Sequence, residues 1–298
     1  VTVYCHAWGS EALMEGNRVI GVTFQSKEGR KAILAGKVID CTGDGDIFAS
    51  AGCAYEKEYS GDDRSYNVSV VFRLGNVDSE EFRNWKYDPN SHYRDKLAEY
   101  KKLFGYRISP FVTPMKDIMW VNNFVEGKDC CNVQDLTDTE MLIRRSLNEG
   151  IEWIRENVPG FKNAFLHDTA PQLGTRGSRR LNGTYRLTMD DIAQTIEHED
   201  TIAIIPAHRR MKYKSPIELP YGVMLPADDV EDLLAAGRCF SSAHDANDHA
   251  NLIPHCVALG EAAGAAAALA LQSNTTFRNV DVKKVQQMLK KQGVYLPR

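Results

Sequence analysis

Between Ala236 and Leu271 the chain reads AGRCFSSAHDANDHANLIPHCVALGEAAGAAAALAL. Three histidines and two aspartates (His244, Asp245, Asp248, His249 and His255) crowd the approach to a helix built almost wholly of alanine and glycine. Imidazoles beside carboxylates can move protons near neutral pH, which makes His244 and His249 candidate acid–base groups. Their spacing is not the helical HxxxH of a metal pair, so no metal is expected; a metal hydrolase is the alternative the histidines leave open. A second constellation is QLGTRGSRR (172–180), followed by Arg186. It is too rich in glycine for a helix face. Guanidinium forks suit carboxylates and phosphates, so Arg176 and Arg179 are candidates to hold a substrate, against the plainer reading of a solvated loop with surface ion pairs. The third is IDCTGDGD (39–46), a strand that ends in Thr-Gly among acidic residues. It suits close approach of a ligand to the backbone, or a simple strand-to-helix turn with Asp as N-cap. GDGD is not GxGxxG, and the chain carries no phosphate-binding glycine fingerprint.

These residues need elements to position them. NRVIGVTFQ and RKAILAGKVIDCT are β-rich runs separated by turn signals at 15–17 and 27–30, and VTVYCHAW reads as a strand before them. Ile47–Ala51 reads as a short helix closed by Gly52. From about Ser60 the texture changes to a strand (YNVSVVFRLGNV), charged helical sequence (EEFRNWKYDPNSHYRDKLAEYKKLF) and a second β segment (TPMKDIMWVNNFVEG). Residues 137–157 read as an amphipathic helix with Thr137 as N-cap and Glu140 in capping-box position, stopped by Pro159-Gly160. A helix or loop over 189–197 and a strand over Thr201–Ile205 come next. The pattern then returns to α/β: extended LPYGVMLP, VEDLLAAGRCF leading into a strand, a helix over 257–271 and a closing helix in 280–296 with Gly293 as C-cap. The helix GEAAGAAAALAL has little side chain to bury, so it must lie close to something flat. Gly260 and Gly264 at i, i+4 suggest tight packing, and the helix start offers free N–H groups to an anion. The expected fold class is α/β, discontinuous, with a domain made of 1–60 and 226–298 and an α+β unit inserted over 61–225.

Composition excludes several function classes. The 298 residues are 43% apolar and 26% charged with a net charge of −4, as in a globular enzyme-sized chain. Lys and Arg are scattered, so no nucleic-acid footprint is expected. The apolar run Ala262–Leu271 is too short and too Ala-rich for a membrane span. Seven cysteines without a CxxC pair or zinc spacing, two of them vicinal at Cys130-Cys131, read as reduced thiols in a cytoplasmic protein. The chain starts at Val1 in what reads as mid-strand, with no signal peptide ahead of it, which suggests an N-terminal segment not seen here.

Taken together, three segments resemble the FAD-dependent oxidoreductase family. Asp40 to Asp46 followed by AGCAYE looks like its second dinucleotide segment. GFKNAFLHDTAPQLGTRGSRRLNGTYRLTMDDI is similar to its middle, and AGRCFSSAHDANDHANLIPHCVALGEAAGAAAA to its C-terminal flavin segment, with a more distant likeness to fumarate reductase flavoproteins. The resemblance implies an FAD/NAD(P)-binding, Rossmann-like domain with an inserted substrate or cap domain, and FAD as cofactor. It implies that Thr42 and Gly43 flank the adenosine–pyrophosphate region, with Asp44 beside them. Gly237 and Arg238 would lie near the ribityl or phosphates. Asn251, Leu252 and Ile253 would run beside the flavin ring, with the Ala/Gly helix and its Gly260 behind. The arginine loop, His244 and His249 would face a small-molecule substrate, such as a sugar-like compound or a hydroxy acid. The departure is the absence of the strand–GxGxxG–helix that opens the family. A second chain in a hetero-oligomer could supply it. The alternative function is a non-catalytic, flavoprotein-like subunit or scaffold completed by a partner.

Overall fold

In the computed structural model the structure describes residues 1–57, 68–194, 196–206 and 216–297. The chain divides into two compact units, Val1–Glu58 with Gly177–Arg298, and Tyr59–Arg176.

The first unit opens with a three-stranded antiparallel meander, β1 (Trp8–Glu15), β2 (Arg18–Ser26) and β3 (Gly29–Leu34), whose turns fall at the two predicted breaks. Gly16 and Gly29 take the left-handed conformation those turns require (φ 61 and 100). Residues 1–7 are not a strand, contrary to the reading of VTVYCHAW; Val1, Val3 and Tyr4 lie on the surface, with nothing to pair their alternation. After β4 (Val38–Asp40) comes a short helix, α1 (Asp46–Ser50), and then β5 (Tyr55–Glu56). Val38, Ile47 and Phe48 form a small core with Leu181, Leu233 and Cys239.

The inserted unit contains β6 (Val68–Ser69), β7 (Phe72–Gly75), α2 (Ser79–Tyr87), α3 (Tyr93–Phe104), β8 (Arg107–Val112), β9 (Met119–Phe124), α4 (Val133–Asn157), β10 (Phe165–Thr169) and β11 (Gly174–Thr175). Four strands form an antiparallel sheet in the order β10-β7-β9-β8. Alternation puts Phe72, Leu74, Met119, Val121 and Ile108 on one face, buried in a core shared with Phe82, Tyr100, Ile143 and Ile151 of the helices. α4 starts a turn earlier than its sequence suggested. Asn132, not Thr137, is the N-cap, accepting from the N–H groups of Gln134 and Asp135, while the Thr137 hydroxyl donates to the Val133 carbonyl inside the helix. The expected start of the insertion, 60/61, lies outside the described residues.

The chain returns to the first unit at Gly177, well before the expected boundary at 225. Here lie β12 (Arg180–Leu181), α5 (Met189–Gln194), β13 (Thr201–Ile205), β14 (Ile217–Pro220), β15 (Leu233–Ala235), α6 (His244–Ala250), α7 (Ile253–Gln272) and α8 (Val282–Lys291). Leu187, Ile192, Ile202, Ile205 and Leu219 pack in one core with Leu234, Leu259 and Leu289, which is why 177–225 belongs to this unit. β15 pairs with β4 in parallel, Leu233 opposite Val38 and Ala235 opposite Asp40, although Leu233 and Val38 are 195 residues apart in sequence.

α7 is 20 residues long and begins four residues before the predicted start. By length and composition it is apolar enough to cross a membrane, where the sequence reading found no such run. In this fold its alanine side is core: Ala262, Ala263, Ala266 and Ala270 are buried, and the helix lies against β13, β4 and α8. The alanines rather than the glycines make the close approach. A Cβ at Gly260 or Gly264 would meet nothing within 4 Å, so both glycines look outward.

Candidate functional site

The site grows from Asp40, a fully buried carboxylate at the end of β4. Its Oδ1 accepts from the Thr42 N–H (2.9 Å) and hydroxyl (2.7 Å), and its Oδ2 from the N–H groups of Ile47 (3.0 Å) and Phe48 (2.9 Å). The last two are first-turn donors of α1 that no carbonyl of the helix can satisfy. The Thr42 hydroxyl accepts in turn from the Asp46 N–H (2.9 Å). The Thr-Gly-Asp-Gly-Asp loop is thereby folded back over the strand end, turning through left-handed Gly43 and Gly45. A Cβ at Gly43 would stand 2.2 Å from Nη1 of Arg238, so a bare Cα is what lets that guanidinium lie across the loop.

From the neighbouring strand, β15 runs on to Gly237 (φ 99) and Arg238. Arg238 Nη2 donates to Asp44 Oδ2 at 3.0 Å, and the Ser178 hydroxyl donates to Asp44 Oδ1 at 2.7 Å. Arg179 Nη1 donates to the Asp44 carbonyl and to Asp46 Oδ1, both at 2.9 Å, and its guanidinium stands 5.7 Å from the Tyr55 ring centroid. Three loops thus meet on one acidic turn. α6 is tied to the same place: Asn247 Nδ2 donates to the Arg238 carbonyl (3.0 Å) and to the Ser242 hydroxyl (2.9 Å), and Asn251 Nδ2 donates to Asn247 Oδ1 (2.9 Å).

Between the carboxyl ends of β4 and β15 and the first turn of α7 lies a cleft of about 380 Å³, lined by Cys41, Gly43, Gly237, Arg238, Asn251 and Ile253 among others. α7 enters it with Leu252 as N-cap, no side-chain cap and Pro254 in its first turn. Pro254 has no N–H, and those of His255 and Cys256 donate to the Leu252 carbonyl (2.9 and 3.0 Å), so of the first turn it is the Ile253 N–H that has no carbonyl of the helix to bond, at the positive end of a long helix. Burial pushes the thiols of Cys41 and Cys256 up, so both cleft cysteines are protonated at neutral pH.

Of the residues singled out from the sequence, Thr42, Gly43, Asp44, Gly237, Arg238, Asn251, Leu252 and Ile253 gather in the cleft or the loops beside it. The side chain of Thr42 is spent on the loop itself, and that of Asp44 on Ser178 and Arg238. Gly260 lies about 10 Å further along α7 than Ile253 and does not line the cleft. His244 opens α6 and shares a face with Asp248; His249 is half-buried in the last turn of that helix, and neither lines the cleft. The arginine run divides: Arg176 is the last residue of the inserted unit, while Arg179 and Arg180 belong to the first. Arg180, 2% exposed, donates from Nε to the Ser242 carbonyl (3.1 Å) and stands 3.7 Å from Glu56, which Arg186 also binds at 2.7 Å. Among the described residues no three His, Cys, Asp or Glu side chains converge where a metal ion could sit. Asp40, Ser178 and Asn247 were not singled out from the sequence. Asp40 was in view as the last residue of a buried strand, but only the return of α1 gives its carboxylate four donors.

The FAD dependent oxidoreductase family matches residues 1–289. The chain belongs to that family. Similar solved structures include a triple mutant of the flavin-dependent brominase Bmp2 (11% identity, 96% of this chain and 55% of that one, TM-score 0.40) and the myxobacterial chondrochloren halogenase CndH, described as a new variant of FAD-dependent halogenases (11% identity, 95% and 50%, TM-score 0.40). The chain spans about half the length of these structures. No curated protein matches it.

FAD is the cofactor of this family, and the cleft fits it. A dinucleotide binds outside the carboxyl ends of parallel strands, where glycines admit its pyrophosphate and a helix start favours its negative charge. Here Gly43 and Gly237 carry no side chain into the cleft, and a Cβ at Gly237 would enter open space. The residues that would hold FAD are Gly43, Gly237, Arg238 and the backbone of 251–253.

Proposed function

We propose that this protein is an oxidoreductase whose bound FAD exchanges a hydride with a small polar substrate, such as a hydroxyl of a sugar-like compound or hydroxy acid. The observation that carries the reading is the meeting of three features in one cleft: two parallel strand ends with left-handed glycines, an arginine laid over one of them, and the start of α7. Arg238 provides guanidinium donors for the cofactor's anionic part, and its ion pair with Asp44 fixes their direction. Arg179 acts as a positioning residue, holding Asp44 and Asp46. Arg176 is the candidate to bind a substrate anion, and His244 and His249 to move the substrate's proton. Replacing Arg238 with Ala tests the reading: the protein should lose bound flavin while its far-ultraviolet circular dichroism is kept. Flavin retained in full would remove Arg238 from the site.

A second component is proposed on a separate observation. Val38 N–H donates to the Asp232 carbonyl and Ala236 N–H to that of Asp40, so Val38 and Asp40 face β15 while Ile39 and Cys41 turn their backbone groups to the other edge. Among the described residues β4 has no strand on that edge. Beside it α7 shows an apolar outer stripe, with Ile253 81%, Val257 64% and Leu271 57% exposed. A strand–GxGxxG–helix segment would pair with the edge and cover the stripe. It could come from the same polypeptide or from a second chain.

A further inference from the structure

Asn251 sits at the turn between α6 and α7 and lines the cofactor cleft. A chain of hydrogen bonds behind it fixes which end of its side chain is spent on the protein. The chain starts at the Arg238 carbonyl, which can only accept. That oxygen lies 3.0 Å from the side chain of Asn247, a residue 1% exposed, so the Asn247 atom on that side has to be the amide nitrogen. The same nitrogen donates to the Ser242 hydroxyl at 2.9 Å, and that hydroxyl donates onward to the Phe240 carbonyl at 3.4 Å. Turning the Asn247 amide over would set its oxygen against a carbonyl in a place closed to water, leaving two buried acceptors face to face.

Both protons of the Asn247 amide are thereby spent, and its Oδ1 is left to accept. It accepts from Asn251 Nδ2 at 2.9 Å. The orientation is passed on: Asn251 gives its nitrogen to Asn247 and keeps its Oδ1. Among the described residues that oxygen has no hydrogen-bond partner, and it is open to solvent. The backbone carbonyl of Asn251 is occupied separately, accepting from the Cys256 thiol at 3.4 Å. The cleft thus offers a fixed acceptor, Asn251 Oδ1, and two residues further on a donor, the Ile253 N–H at the start of α7.

This pair sorts the parts of FAD. At neutral pH the pyrophosphate carries acceptors only. It has nothing to give an amide oxygen, and it suits the guanidinium of Arg238 instead. The donors of FAD are the N3–H of the isoalloxazine, the amino group of the adenine and the hydroxyls of the two sugar chains. On the isoalloxazine the N3–H lies between two ring carbonyls, so that edge presents a donor and an acceptor side by side. The adenine amino group beside a ring nitrogen makes a similar pair. Charge separates the two rings. The isoalloxazine takes up negative charge when it is reduced, and the positive end of a 20-residue helix stabilises it there; adenine stays neutral throughout.

We infer that Asn251 Oδ1 accepts the N3–H of the flavin ring. That contact rests on FAD lying in this cleft, as proposed above, and adds which end of the cofactor meets the start of α7.

The test reconstitutes flavin-stripped whole protein with FAD and with 3-methyl-FAD, which carries a methyl group in place of that proton. Binding is followed by quenching of flavin fluorescence. The parent should bind 3-methyl-FAD at least tenfold more weakly than FAD. Asn251→Ala and the similarly sized Asn251→Leu should bind FAD several-fold more weakly than the parent, with circular dichroism unchanged. Both should treat the two flavins nearly alike, since the group that tells them apart is gone. A second readout is the pH at which bound FAD loses its N3 proton, seen in the flavin absorption bands. It should be higher in the parent than in either variant, because an acceptor stabilises the protonated form. A parent that binds both flavins equally well, or variants that keep the parent's discrimination, would overturn the contact. Competition by ADP that is weakened in the variants while their discrimination persists would give Asn251 to the adenine instead. A parent that binds neither flavin would overturn the placing of FAD in the cleft as well, which separates the two failures.

Discussion

Gly43 is the position at which a single methyl group asks most. Its φ of 86 disfavours any L side chain, and the added Cβ would meet the Arg238 guanidinium at 2.2 Å. Gly43→Ala should cost about 1–3 kcal/mol of stability and lower flavin retention, readable by denaturant titration and by flavin absorbance per chain. Asp40→Ala should cost more, about 3 kcal/mol or above, because it strands the buried N–H groups of Ile47 and Phe48 and unties the loop. Thiol chemistry offers an independent check. Burial, with Asp228 and Asp40 nearby, pushes the Cys53 thiol up to about 12. At pH 8 about one part in ten thousand of it is thiolate, so it should resist iodoacetamide in the native protein. Cys41 lines the cleft within reach of solvent, so even with its thiol pushed up it should be alkylated faster than Cys53, and more slowly when FAD is bound; peptide mass mapping reads both. The Thr42-Gly43 position stands out in the sequence as a strand end followed by glycine, whereas Gly237 and Arg238 come into view only through the family resemblance. The sequence could not show that Asp44 and Asp46 are consumed by Ser178, Arg179 and Arg238, since those partners lie more than 130 residues away.

Elements were more legible than their ends. The two early turns, the strand Thr201–Ile205 and the closing helix with Gly293 beyond it follow from local chemistry, and they appear where that chemistry places them. α4 and α7 both begin earlier than predicted. For α4 two capping residues compete, and Asn132 wins because its side chain reaches two N–H groups that Thr137, already inside the helix, cannot. Asn132→Ala should therefore cost about 1 kcal/mol, seen as a lower midpoint in thermal unfolding, while Thr137→Ala should be nearly neutral. β8, residues Arg107–Val112, has no distinct signal in sequence, and its pairing with β9 decides it. On α7 the stripe of Ile253, Val257 and Leu271 has no local function. Val257→Lys should leave circular dichroism unchanged yet reduce flavin retention if a partner segment covers that face.

At the scale of the molecule, α/β character and a discontinuous first unit could be read from the return of strand–glycine–helix texture near the C-terminus. The extent of the insertion could not. Residues 177–225 look like loop and short elements, and only their shared core with Leu234, Leu259 and Leu289 assigns them to the first unit. The Gly-Thr-Arg-Gly-Ser-Arg-Arg run, which looked like one cluster, spans the boundary between units, so its arginines take up different tasks. The central claim is that FAD occupies the cleft where Gly43, Arg238 and the start of α7 meet. The most direct measurement is flavin absorbance per chain in natively purified protein, parent beside Gly43→Ala and Arg238→Ala, with circular dichroism confirming the fold. The account predicts a flavin-loaded parent and folded variants that have lost most of it. A parent without flavin, or variants that are folded and fully loaded, would contradict it.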